Sequence, residues 1–136
     1  MELTEKELKL IVGHLQKKIL PYLIYIFGSY VQGKARKDSD LDIAFLSEQK
    51  HDSYRIFVTA QELAGLLGLD VDLIDLNQAS TVFQMQVIRT GKVIYCSDEN
   101  RRMLFHLLAL KKYVKLNEER KCILERIKER GSIYGE

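Results

Sequence analysis

Apolar residues recur at helical spacing near the start of the chain, where Leu8, Ile11, Val12, Leu15 and Ile19 form one stripe. Thr4 and Glu7 stand ahead of it as a Thr-x-x-Glu capping box. Pro21 ends it, because proline lacks the backbone donor and crowds the preceding turn. The period then changes. Leu23 to Phe27 is a short, almost wholly apolar run rich in β-formers and predicts a buried strand. Gly28-Ser29 breaks it, the polar stretch Lys34 to Ser39 follows, and Leu41 to Leu46 predicts a second strand. Helical spacing returns at Ile56, Phe57, Ala60, Leu63, Ala64 and Leu67, with Gly68 placed to close the helix. Asp70 leads into a third strand, Val71 to Leu76, which carries Asp72 and Asp75. A shorter helix over roughly Thr81–Thr90 ends at Gly91, and Lys92 to Cys96 predicts a short fourth strand. From about Asp98 the chain reads as helix almost to Arg130, with Asn117 as the point where it can break. Leu104, Leu107, Leu108 and Val114 form its apolar stripe, continued less regularly by Ile123 and Ile127, and the sheet is its expected partner.

Helices alternating with short strands predict an α/β fold (α+β in some schemes), built on a small sheet flanked by helices. Only about a dozen residues join the first two strands, marginal for a parallel crossover, so the sheet is expected to be mixed. The 136 residues suit one domain, with a core at about 20–96 and a helical C-terminal extension at about 98–130. No apolar run approaches the roughly 18–20 residues that cross a bilayer, and the N-terminus has no signal-type apolar core. Cys96 and Cys122 are far apart, which suggests neither a disulfide framework nor a zinc site. A cytoplasmic protein without membrane contact is expected. The net charge of +2 is too small to advertise nucleic-acid binding. Residues 98–130 do hold ten Lys/Arg against six Asp/Glu, a local +4 that reads as a solvated helix face. Direct nucleic-acid binding is not expected.

The chemistry concentrates between the first two strands. Strand side chains alternate faces, so Asp40 and Asp42 project together while Leu41 points into the core. Paired carboxylates repel unless a cation shares them, and hard oxygen ligands favour Mg2+, which takes its other ligands from water and substrate phosphates. Asp72, in the next strand, can complete a trio that holds two ions for an in-line displacement. Gly28 lets the backbone turn sharply against a phosphate, and Ser29 offers a hydroxyl and an N–H. A helix beginning at Tyr30 to Gln32 would add free N–H groups as an anion site. Gly33 is a second flexible point, and Lys34, Arg36 and Lys37 are nearby cations. Asp70 and Asp72 share a strand face, so parity leaves the third carboxylate open between them; Asp75 suits a cap for the following turn.

The segment from Gly28 to Asp42, Gly-Ser-Tyr-Val-Gln-Gly-Lys-Ala-Arg-Lys-Asp-Ser-Asp-Leu-Asp, resembles the signature of the polymerase-β-like nucleotidyltransferase superfamily. The short chain is similar to its minimal nucleotidyltransferase (MNT) branch. The resemblance implies the nucleotidyltransferase fold, with nucleotide contacts at Gly28, Ser29, Gly33, Arg36 and Ser39. It implies Asp40, Asp42 and Asp72 as metal-binding and catalytic residues, the last also aligning or deprotonating the acceptor hydroxyl. Many relatives have Arg after Gly-Ser where this chain has Tyr30, so Arg36 becomes the candidate for the γ-phosphate.

Minimal nucleotidyltransferases of this kind are commonly the antitoxin of a HEPN–MNT toxin–antitoxin pair. The resemblance implies Mg2+-dependent transfer of AMP from ATP to a tyrosine hydroxyl of a partner HEPN ribonuclease toxin, silencing it. The chain's brevity agrees, because it leaves no separate acceptor-binding domain. Two alternatives are a transferase for a small hydroxylated acceptor such as an aminoglycoside, and a non-catalytic antitoxin that acts by binding alone. Other motifs recede. His14, His51 and His106 share no ligand spacing, and Tyr22, Tyr25 and Tyr95 read as core or edge residues. Arg101 and His106 mimic part of a HEPN Arg-x4-His motif, but lie on divergent sides of a helix and lack its following tyrosine.

Overall fold

The computed structural model describes residues 2–36 and 38–134, with side chains through Lys128. Its elements run α1 (Glu5–Lys18), β1 (Pro21–Phe27), α2 (Ser29–Gln32), β2 (Leu41–Ser47) and α3 (Ser53–Leu67). They continue with β3 (Val71–Asp75), a 3-10 turn (Leu76–Gln78), α4 (Thr81–Thr90), β4 (Lys92–Cys96) and α5 (Glu99–Tyr134). The helix boundaries follow local chemistry. The Thr4 hydroxyl accepts from the Glu7 N–H at 3.1 Å while the Glu7 carboxylate takes the Thr4 N–H at 3.0 Å. Asp52 caps α3 by accepting from the Arg55 N–H, which starts that helix a turn ahead of its apolar stripe. Gly68 closes it with a left-handed φ of 69°.

The four strands are ordered β3-β2-β1-β4. β1 is antiparallel to both β2 and β4, whereas β2 and β3 are parallel, so the sheet is mixed as expected. α3 supplies the crossover that parallel pairing demands. Alternation divides the sheet between two cores. Ile24, Ile26, Leu41, Ile43 and Phe45 meet Ile11, Leu15 and Leu63 of α1 and α3. Leu23, Tyr25, Ala44 and Leu46 turn the other way, toward Leu76 and Val87 of the 3-10 turn and α4. Each fully buried aliphatic contributes about 1.5–3 kcal/mol, which pins the register of β1 against β2. That register positions the carboxylates.

α5 is one continuous helix through Asn117, as the expected helix almost to Arg130 allows. It departs from the sequence expectation in what it buries. Its leucine stripe does not pack on the sheet: Leu104 and Leu107 are 55% and 63% exposed, and Leu108, Val114, Ile123 and Ile127 are exposed with them. The inward side carries Phe105, His106, Ala109, Tyr113 and Leu116 instead. Polar groups on amphipathic stems decide this orientation. The Arg101 guanidinium lies 5.2 Å from the Tyr22 ring centroid and pairs with Glu48 and Asp98. The buried Tyr25 hydroxyl meets Nε2 of His106. From Asn117 to Lys128 every side chain is exposed, so this half of the helix extends beyond the sheet. Among the described residues, no helix is long and apolar enough to cross a membrane.

Candidate active site

Gly28 ends β1 at φ 76° and ψ −148°, a conformation open essentially to glycine alone. Space imposes a second requirement. A Cβ on Gly28 would lie 3.3 Å from Asp42 Cγ and closer still to Asp42 Oδ2, inside van der Waals contact. The missing side chain is therefore the cradle in which the Asp42 carboxylate rests. α2 follows as a single turn. The N–H groups of Val31 and Gln32 both return to the Gly28 carbonyl at 3.1 Å, leaving Ser29 and Tyr30, rather than Tyr30 to Gln32, to present outward N–H groups.

Gly33 closes this turn in the left-handed region at φ 70°, and the chain then loops back to β2. The Arg36 N–H donates to Ser39 Oγ at 2.7 Å and the Ser39 N–H to the Arg36 carbonyl at 3.0 Å. Ser39 thus shapes the loop while the Arg36 side chain stays exposed. Ala35, buried among exposed neighbours, anchors the loop to the domain. The predicted cation Lys37 lies outside the described residues.

Strand register assembles the acids. Phe27 is paired with Asp42 in β1–β2, and Asp42 with Asp72 in β2–β3. All three are in one row on one face, and directly opposed side chains stand about 4.5–5.5 Å apart at Cβ. Asp40, two residues before Asp42, has the same parity. Asp42 is half-buried while Asp40 and Asp72 are exposed. Burial first, and then the charges of Asp72 and Asp40, hold the Asp42 carboxyl above the usual carboxylate range. The Asp70 carbonyl accepts the Leu41 N–H at 2.8 Å and so locks β3 to β2. Asp75 caps the 3-10 turn as expected, accepting from the Asn77 N–H at 3.0 Å.

Among the described residues no group of three or more His, Cys, Asp or Glu side chains stands close enough together to hold a metal ion. The acids of Asp40, Asp42 and Asp72 instead make an open row. Such a donor set fits Mg2+, which keeps several waters and shares its coordination with phosphate oxygens. Burial first, and then the neighbouring carboxylates, raise the Asp42 carboxyl, and a bound cation would offset both.

Two histidines have structural partners: His51 Nε2 bonds the Ile19 carbonyl at 2.8 Å and His106 meets Tyr25. His14 Nε2 is buried 3.9 Å from Glu62, beyond hydrogen-bond reach. Sequence reading missed two aromatic residues. Phe27 forms the apolar wall beside Asp42 and packs edge-on against Phe83 at 5.5 Å between centroids. Its place in the carboxylate row is set by strand register alone. Phe57, read as part of a core stripe, is 60% exposed beside the free edge of β3, and helical spacing carries no signal of that.

Comparison with known proteins places this geometry. The model of the polymerase beta nucleotidyltransferase family matches residues 9–100. The protein adenylyltransferase MntA of Shewanella oneidensis is 41% identical over 103 residues, covering 76% of this chain and 73% of the relative. A crystal structure of a toxin–antitoxin with AMP-PNP superposes with a TM-score of 0.79 at 37% identity, over 88% of this chain and 97% of that one. A tri-AMPylated Shewanella oneidensis HEPN toxin in complex with MNT antitoxin gives 0.77 at 33% identity, over 92% and 98% of the two chains. The turn at Gly28 and the carboxylate row thus sit on a recognised scaffold, and the chain belongs to the polymerase beta nucleotidyltransferase family, among its MntA-type adenylyltransferases.

Proposed function

We propose that this enzyme transfers AMP from ATP to a tyrosine hydroxyl of a partner HEPN-type toxin and thereby neutralises it. The observation that carries the reading is the row Phe27–Asp42–Asp72 beside a glycine that leaves room for the Asp42 carboxylate. The relatives named for protein adenylylation, toxin–antitoxin assembly and AMP-PNP supply the substrate and partner class. The two free thiols, Cys96 and Cys122, accord with a reducing, cytoplasmic setting.

In this reading the turn at Gly28 and Ser29 grips the triphosphate through its N–H groups and the Ser29 hydroxyl. Gly33 lets the following loop close, Ser39 shapes it, and the exposed Arg36 side chain meets the γ-phosphate. Asp40, Asp42 and Asp72 hold Mg2+, which when bound neutralises charge on the phosphates and on the attacking and leaving oxygens. Asp72, exposed on the edge strand, aligns the incoming hydroxyl and accepts its proton. The tyrosine oxygen bonds to the α-phosphorus, the bond to the bridging oxygen breaks, and pyrophosphate leaves. Phe27 excludes water beside Asp42 and so strengthens every charge interaction there.

The test is incubation of the chain with ATP labelled at the α-phosphate, Mg2+ and its co-encoded partner. Label should appear on a partner tyrosine and disappear with Asp42→Asn. Label on an aminoglycoside alone would reassign the acceptor, and neutralisation that survives Asp42→Asn would make binding sufficient.

A further inference from the structure

β3 is an edge strand, and its outer side is open. The Asp70 carbonyl bonds the Leu41 N–H, so by strand alternation Asp72 and Ile74 direct their main-chain groups toward β2. The N–H and C=O groups of Val71 and Leu73 therefore point outward. Among the described residues they meet no main-chain partner there. A groove of about 770 Å³ runs along this edge, with Phe57 of α3 on one side and Gln78 and Ala79 on the other. It touches residues of both faces of β3, as a channel for a further strand must. Asp72 is part of its wall, which makes the groove continuous with the carboxylate row.

The lining is apolar with negative charge. Asp52, Asp72 and Asp75 line it, no Lys or Arg among the described residues does, and His51 is tied to the Ile19 carbonyl. Short charged edges discourage promiscuous pairing, yet they still accept a strand of opposite charge. We propose that the free edge of β3 binds the acceptor segment as an added strand: an extended, basic stretch whose tyrosine lies opposite Asp72. A residue opposite Asp72 projects on the same face as Asp72 and Asp42, which brings its hydroxyl to the carboxylate row. The inference rests on the adenylyltransferase reading and adds the path by which the acceptor arrives.

The probe is a synthetic peptide alternating valine and lysine around one central tyrosine. Companion peptides carry glutamate for lysine, or N-methyl groups on alternate backbone nitrogens. AMP addition is followed by mass, and AMP-PNP binding is measured separately. The lysine peptide should be labelled, and N-methylation or glutamate should raise KM at least about tenfold, the worth of one or two lost hydrogen bonds or a charge clash. Phe57→Lys, at an exposed position, should raise the peptide KM comparably and leave AMP-PNP affinity unchanged. KM values indifferent to both N-methylation and Phe57→Lys overturn the proposal. So does labelling of the HEPN-type partner without any labelling of the peptide, or a dimer of this chain that Phe57→Lys dissociates. A wild-type chain that labels neither peptide nor partner sinks the adenylyltransferase reading itself.

Discussion

Replacing Gly28 by alanine separates what the backbone requires from what the carboxylate requires. The residue sits at φ 76° and ψ −148°, and holding an L-residue in such a region costs about 1–3 kcal/mol. The added methyl meets Asp42 Oδ2, the far end of a side chain with two rotatable bonds, so Asp42 can swing away at little further cost. Stability should therefore fall by only about 1–3 kcal/mol. Activity should fall far more, because the displaced group is the half-buried member of the row. A loss of at least about a hundredfold in kcat/KM corresponds to roughly 2.7 kcal/mol of transition-state stabilisation. Gly68→Ala is the control: φ there is 69° and nothing lies within 4 Å of the new methyl. It should cost about 1 kcal/mol of stability and leave transfer within about twofold of wild type. Urea denaturation and AMP transfer, measured on both variants, decide the matter. Equal activity in the two refutes the claim that Gly28 exists to seat Asp42.

Asp42→Asn should abolish transfer yet raise the melting temperature in metal-free neutral buffer, since burial and two neighbouring carboxylates oppose the native charge. The folded-state carboxyl sits above its unfolded value, so the wild type loses stability as pH rises through the folded value. The advantage of Asp42→Asn should accordingly vanish below about pH 4, and melts across pH will show whether it does. His106 runs the other way. Burial, and then Arg102, hold its imidazole below the ordinary range. Stability is therefore full above about pH 6.5 and declines as pH falls toward the folded value, where charge forms on the ring that meets the Tyr25 hydroxyl. His106→Gln should flatten that decline in melts between about pH 5 and 7. Truncation after Asn117 removes a segment whose side chains are exposed through Lys128, so the melting temperature should shift by less than about 2 °C.

What was legible in the sequence is what local chemistry controls. α4 and β4 fall where Ser80, Gly91 and a five-residue β-forming run place them, and α1 where Thr4 and Glu7 cap it. Gly28, Asp40 and Asp42 were readable because fifteen consecutive residues hold them. The position of Asp72 beside Asp42 depends on how β3 registers against β2, which no short window contains. α5 shows the complementary failure. Periodicity found the leucine stripe, but cannot tell a side that packs from one that faces water. Arg101 and His106 turn inward the side that carries Phe105, Ala109, Tyr113 and Leu116.

The parallel register of β3 on β2 also has a consequence for how the chain reaches its native state. Docking β3 brings Asp72 alongside Asp42, so the pairing that creates the site is the one that the chain's own charge resists. It also follows a crossover through α3, so a long loop must close before that contact forms. Divalent cations in the refolding medium should thus speed the docking of β3 on β2 in the wild type but not in Asp42→Asn. A nascent chain would complete its sheet fastest where its future cofactor is already abundant.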